Sequence, residues 1–269
     1  MAQIYPVCFK LPRRPLCKRN LLQYPTLSVF SYKVFKFLQP LLKFDSHYNK
    51  NTLFPQFFKK TVIYTNIASI MAKYNDLLAF VTYEKPSFLI VTETWLSSSI
   101  PDHLFSMGDY TIFRADRTRT RGGGVCIFIA NHLLSELHVA QLSFDTGNID
   151  SLVLRISCKN FSFVLSCVYR PPGTDLTSDH NLFLKLSDLV EAYENVFVFG
   201  DFNMPDLKWP LNPKLKCSQS SQLLVDFLMS TRMLQLVDQP TRIRRNQQPS
   251  TLDLVMISDA NLLANLPDR

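Results

Sequence analysis

Val196-Phe197-Val198-Phe199-Gly200-Asp201-Phe202-Asn203 is the stretch from which the fold can be read. Its four leading apolar residues have the length and β-branched, aromatic character of a buried strand. The strand ends in glycine, acid, apolar residue and amide, which sets Asp201 and Asn203 at a strand's carboxyl end. Strand alternation sends both to one side and Phe202 to the other. A carboxylate beside a neutral amide is suited to orient a water and hold a phosphoryl oxygen.

Outward from this strand, segments of the two periodicities alternate. Upstream, Val62–Thr65 reads as a strand entering Asn66, Ala68–Tyr83 as a helix, and Phe88–Thr92 as a buried strand ending at Glu93. Tyr110–Arg114 is a strand, followed by a charged loop and by Gly122-Gly123-Gly124, which opens the strand Val125–Ile129. Ser151–Ile156 and Phe161–Tyr169 form a strand pair joined at Lys159-Asn160. The second strand ends in Arg170-Pro171-Pro172, which must leave the sheet. Asn181–Tyr193 and Gln222–Leu236 are amphipathic helices, and Thr251–Ile257 is a last strand. Strands alternating with helices, together with strand pairs, imply an α/β fold of sandwich type.

Composition bounds the rest. The chain has 269 residues, 46% of them hydrophobic, enough for one large core. Its net charge of +7 is unevenly spread: residues 1–60 hold eleven Lys/Arg and one acid (Asp45), whereas the remaining 18 basic and 21 acidic residues leave 61–269 at −3. The basic character therefore belongs to an N-terminal segment, which lacks glycine, is interrupted by prolines and is expected to be a poorly ordered extension. An amphipathic helix near Ser31–Phe44 is the alternative within it. The expected domain is 61–269. Six scattered cysteines without C-x-x-C spacing argue against a zinc site or a disulfide framework. No apolar run reaches membrane-spanning length, and the first residues lack the order of a secretory signal, so an intracellular location, nuclear or cytoplasmic, without a membrane partner is expected.

The ordered series Thr65-Asn66-Ile67-Ala68-Ser69, Thr92-Glu93-Thr94-Trp95-Leu96, Phe113-Arg114-Ala115-Asp116-Arg117, Gly122–Val125, Tyr169-Arg170-Pro171-Pro172, Gly200–Asn203 and Thr251–Val255 resembles the endonuclease/exonuclease/phosphatase superfamily. Within it, the series is most similar to the apurinic-type endonuclease domain of non-LTR (LINE-type) retrotransposons, over about residues 61 to 269.

The resemblance implies a four-layered α/β sandwich of two packed mixed sheets flanked by helices. It implies Mg²⁺ as cofactor, with Mn²⁺ able to substitute, and DNA as partner. Glu93 matches the metal-binding glutamate, and Asn66 the amide near the metal and phosphate. Asp201 matches the residue that positions and deprotonates the attacking water, and Asn203 its neighbour on the scissile phosphate. Tyr169 matches a phosphate-binding tyrosine, and Asp253 an acid that supports a histidine near the C-terminus. Arg114, Arg117 and Arg170 are candidates for DNA contact, with Arg119 and Arg121 in the same basic loop.

Three departures from the pattern stand out. The family's closing Ser-Asp-His strand has no counterpart after Asp253, which implies a C-terminally truncated domain with impaired activity. The letters Ser178-Asp179-His180 occur ahead of a helix, where Ser and Asp are natural N-caps. Ala68 stands where retroelement relatives usually have Arg, and Asp150 where many have a Glu that supports the metal site. The reverse transcriptase domain expected in full-length relatives is absent. Two alternatives remain: a catalytically dead retroelement remnant that binds metal or DNA weakly, and a phosphatase or phosphodiesterase of the same superfamily.

Overall fold

The computed structural model describes residues 32–37 and 60–259, except 106, 119, 160, 213–215 and 244–246. Two sheets form its centre. The first runs in the order β1 (Tyr32–Phe37), β2 (Lys60–Asn66), β3 (Phe88–Thr92), β5 (Val125–Ala130), β4 (Tyr110–Ala115). The second runs β10 (Leu234–Gln235), β11 (Asp253–Ile257), β9 (Val196–Asp201), β8 (Phe161–Tyr169), β7 (Asp150–Cys158), β6 (His138–Leu142). Both are mixed: β2–β3 and β8–β9 are parallel, and the other pairs are antiparallel.

The central strands β3, β5 and β9 are apolar and buried on both faces because both faces are covered. Val62, Tyr64, Ile90 and Ile127 of the first sheet meet Leu154, Cys167, Phe199 and Val255 of the second in a shared inner core. On the outer side of the first sheet, Ile63, Leu89 and Phe128 pack on α1 (Ile70–Glu84) through Ile70, Leu77, Phe80 and Val81. On the outer side of the second, Val164, Val198 and Met256 pack on α3 (Leu176–Ala192) and α4 (Gln219–Thr231). A short helix α2 (Asn131–Leu134) follows β5. The layers therefore run helix, sheet, sheet, helix, as the resemblance implies.

Several boundaries differ from the sequence reading. Tyr32–Phe37 is a strand paired antiparallel with β2 and not part of a helix; its alternating Tyr-Lys-Val-Phe-Lys-Phe suits the edge of a sheet. The rest of the expected N-terminal extension, apart from Lys60, lies outside the described residues, as does the expectation about a closing strand, which falls beyond residue 259. α3 begins earlier than Asn181, because Asp175 caps it through the Ser178 N–H at 2.8 Å. α4 stops at Thr231, where Arg232 turns left-handed and releases Leu234–Gln235 to pair with β11. The short strand β6, with exposed His138 and Gln141, carries too weak an apolar pattern to be read from sequence.

Among the described residues, no helix is long and apolar enough to cross a membrane, and Cys126, Cys167 and Cys217 are free thiols.

Candidate active site

Strand register brings the candidate residues together. Across the second sheet, Asp150 is the partner of Tyr169, Tyr169 of Asp201, and Asp201 of Asp253. One row of four adjacent strands thus carries three acids and a tyrosine. In the first sheet Asn66 is opposite Thr92, the residue before Glu93. The two rows face each other across the inner core at the same end of the sandwich.

The link between the sheets is Asn66. Its Nδ2 donates to Glu93 Oε1 at 3.0 Å and to Asp201 Oδ2 at 2.9 Å. A neutral amide between two carboxylates satisfies both without adding charge. Asp201 is buried, and its carboxyl is held well above the ordinary carboxylate range, first by desolvation and then by the charge of Asp253. The N–H of Asn203 and the Asn66 amide act in the opposite direction.

Asp201 and Asn203 are adjacent for a reason other than strand alternation. The strand ends at Asp201, and Asn203 lies in the left-handed region at φ 49°. This turn lets the Asn203 N–H donate to Asp201 Oδ1 at 3.1 Å, while its side chain donates to the Arg170 carbonyl at 2.9 Å. Phe202 points away, as expected, and stacks on Phe183 of α3. Gly200 is required just before: a Cβ there would lie 2.2 Å from the Val168 carbonyl oxygen of β8.

Tyr169 is buried between Glu93, Asp201 and Arg117. Its phenol is raised by desolvation and by the charges of Glu93 and Asp201, and it hydrogen-bonds Glu93. It therefore remains a protonated donor throughout the neutral range. The Arg117 guanidinium lies 5.2 Å from the centre of its ring.

Asp253 accepts from the Tyr64 hydroxyl at 2.8 Å, and Tyr64 also bonds Thr92 Oγ1 at 3.1 Å. Tyr64 was not singled out by the sequence. The available signal was its spacing: two residues before Asn66 on β2, it shares that residue's face.

Three arginines proposed for DNA contact have other work. Arg170 is 4% exposed and grips Asp179 through two bonds of 2.6 and 2.8 Å, while its Nη1 reaches the Phe202 and Asn203 carbonyls. It holds the turn that carries Asp201 and cannot reach a ligand. Arg114 is bound by Asp102 at 3.0 Å, Asp116 at 3.1 Å and the Ser97 carbonyl. Arg117 is paired with Asp150 at 2.7 Å.

Asp150 also accepts the Gly124 N–H at 2.7 Å, so this acid fastens the glycine loop to the second sheet. A Cβ on Gly123 would collide with both Arg117 and Asp150 at about 2.4 Å. The Ser178-Asp179-His180 letters lie in the first turn of α3, with Asp179 committed to Arg170 and His180 exposed. They form no second catalytic pair.

The donor set suits a hard cation. Among the described residues, no three His, Cys, Asp or Glu side chains converge as an all-protein metal cage. What converges instead is Glu93, Asp201 and the Asn66 amide, with Asp253 beside them and the Arg117 guanidinium over Tyr169 paired with Asp150. One or two carboxylates with room for water and phosphate oxygens is how Mg²⁺ is normally held.

Residues 163–268 match a protein family described as endonuclease-reverse transcriptase. No curated protein sequence matches the chain. Among solved structures, the chain is similar to the endonuclease domain of TRAS1, a telomere-specific non-LTR retrotransposon. That likeness has 17% identity and a TM-score of 0.54, covering 72% of this chain and 83% of that one. It is similar to AP endonuclease LMAP from Leishmania major, at 17% identity and a TM-score of 0.55, covering 74% and 78%. It is also similar to a mannosyl-6-phosphatase from Bacteroides thetaiotaomicron, at 13% identity and a TM-score of 0.51, covering 72% and 79%. At these identities what is shared is the fold.

Proposed function

We propose that this chain, whose fold is that of the endonuclease/exonuclease/phosphatase superfamily, is a Mg²⁺-dependent DNA endonuclease domain of the retroelement type. The observation that carries the reading is Asn66 bridging Glu93 and Asp201 from opposite sheets. It gathers an acid suited to a cation and an acid suited to a water around one point.

Glu93 holds the ion with the help of Asn66, and the ion, when bound, supplies Lewis-acid stabilisation of charge on the phosphate. Asp201 accepts a proton from the attacking water; its raised affinity for protons makes it a stronger base than a solvent-exposed carboxylate. The hydroxide oxygen bonds to phosphorus as the bond from phosphorus to the leaving 3′-oxygen breaks, and that oxygen takes up a proton from solvent, leaving a 3′-hydroxyl end. Tyr169, held protonated, donates to a non-bridging phosphate oxygen. Asn203 fixes the orientation of Asp201 through its N–H. Tyr64 donates to Asp253 and keeps that acid oriented beside Asp201.

The test is nicking of supercoiled plasmid by purified chain with Mg²⁺, against Asp201→Ala. Loss of a general base predicts a fall of about 10²–10⁴-fold. Metal binding without any nicking would instead identify a catalytically dead remnant. Release of phosphate from sugar or lipid phosphates, with plasmid left intact, would identify a phosphatase.

A further inference from the structure

Trp95 is unusually placed for a tryptophan. It is 39% exposed and belongs to none of the three apolar clusters, although its neighbours Thr94 and Leu96 are buried. Its backbone lies in the left-handed region at φ 56°, as does that of Glu93 at φ 54°. For a bulky residue this conformation is costly and persists only where its surroundings enforce it. Here they do: the Trp95 N–H donates to the Gly123 carbonyl at 2.9 Å, and the Thr94 N–H to the Gly124 carbonyl at 3.2 Å. The indole is thereby held outward and not folded into the core.

Its edge is fixed as well. The indole N–H donates to Glu93 Oε2 at 3.2 Å, on the carboxylate whose other oxygen accepts from Asn66. Gly122, at φ 89°, runs alongside; a Cβ there would lie 3.6 Å from the indole nitrogen. The guanidinium of Arg121, an exposed residue, lies 6.0 Å from the ring centre. Unlike Arg114, Arg117 and Arg170, Arg121 forms no ion pair among the described residues. An outward-facing, rigidly held aromatic ring with a cation over it is a surface on which a base can stack, beside a charge that tracks the backbone.

We propose that Trp95 and Arg121 form a stacking platform for an unpaired nucleobase of the DNA strand whose phosphate enters the Glu93–Asn66–Asp201 cluster. This rests on the DNA-endonuclease reading and adds to it a position where the strand is held by a base and not only by phosphates. Stacking is sequence-tolerant, because every base has a π-face, so the platform selects locally unpaired DNA over a regular duplex.

The test uses labelled single-stranded oligothymidylate and an abasic strand with the same number of phosphates. Binding is followed by anisotropy in the absence of turnover, with Ca²⁺ in place of Mg²⁺. Wild-type protein is expected to bind the base-bearing strand more tightly. Trp95→Ala is expected to weaken that binding by about 5- to 100-fold and to leave the abasic strand unaffected, with Trp95→Phe in between. In a Trp209→Phe background, where Trp95 is the only tryptophan, saturating oligothymidylate should quench the fluorescence and the abasic strand should not.

Equal binding of both strands by wild type, or equal losses for both in Trp95→Ala, overturns the platform. Should Trp209→Phe not fold, the anisotropy comparison decides alone. Plasmid nicking is scored separately. Nicking without base preference removes the platform and keeps the endonuclease, whereas base preference without nicking does the reverse.

Discussion

Asp201 and Asp253 are direct partners across the antiparallel pair β9–β11, so two carboxylates sit side by side where the sheets open. Each has its own neutral donor: Asn66 for Asp201 and Tyr64 for Asp253. Asp201 forms no ion pair among the described residues. Like charges this close disfavour each other's ionised form, which raises Asp201 in addition to its burial.

Stability should therefore depend on pH through Asp201. Its folded-state pKa lies above the unfolded value, so the folded chain keeps a proton that the unfolded chain has released. The contribution is fully present below the ordinary carboxylate range and is lost as pH rises through the raised folded value. Urea unfolding at pH 5 and pH 8 should show greater stability at pH 5 for wild type. The difference should shrink in Asp201→Asn. An unchanged difference in that variant would assign the dependence to other groups.

Divalent cations should relieve the same repulsion. Mg²⁺ at about 100 times its Kd is expected to stabilise the chain by about 2.7 kcal/mol. For a domain of this size that is a rise in Tm of roughly 5–10 °C. Glu93→Gln should abolish most of the rise, because it removes the charge at the proposed ligand while leaving an amide of the same shape. Differential scanning fluorimetry with and without EDTA checks this.

Arg117 and Asp150 form a pair whose side chains are only 14% and 11% exposed. Arg117→Met leaves Asp150 with the Gly124 N–H alone and should cost about 1.5–3 kcal/mol by urea denaturation. It also strips the cation from the face of Tyr169, so nicking should fall further than stability alone accounts for. Equal nicking by folded Arg117→Met and wild type would limit the pair to a structural role.

Arg170 and Asp179 give the contrasting case. Removing one partner of a buried pair leaves an uncompensated charge, so Arg170→Met should cost about 3–5 kcal/mol. The double variant Arg170→Met with Asp179→Leu should recover much of that loss. Because the guanidinium is buried, the salt dependence of DNA binding by the folded double variant should match wild type. A shallower salt slope would restore Arg170 as a phosphate contact.

The ends of the central strands were legible because each obeys a local rule. Val196–Phe199 and Phe88–Ile90 are runs too apolar for anything but a strand covered on both faces, and polar residues that end such runs must lie at its edge. Asn66, Glu93, Tyr169, Asp201 and Asp253 all read as residues at or near strand ends, whereas the roles proposed for them come from the family resemblance. The edges of α3 and α4 were less legible, because a cap at Asp175 and a left-handed Arg232 depend on single residues and not on periodicity.

The sequence by itself determined the layered α/β architecture and the polar residues that terminate its strands, since hydrophobic period and strand-end chemistry are local properties. Only the tertiary structure decided what those residues do to one another. The Asn66 bridge spans 135 residues to Asp201, and the Tyr64–Asp253 bond spans 189. Arg170 and Arg121 look alike in the sequence, yet one is buried on Asp179 and the other lies exposed over Trp95. Charge type is written in the chain, but partners and exposure follow from which strands the two sheets set in register.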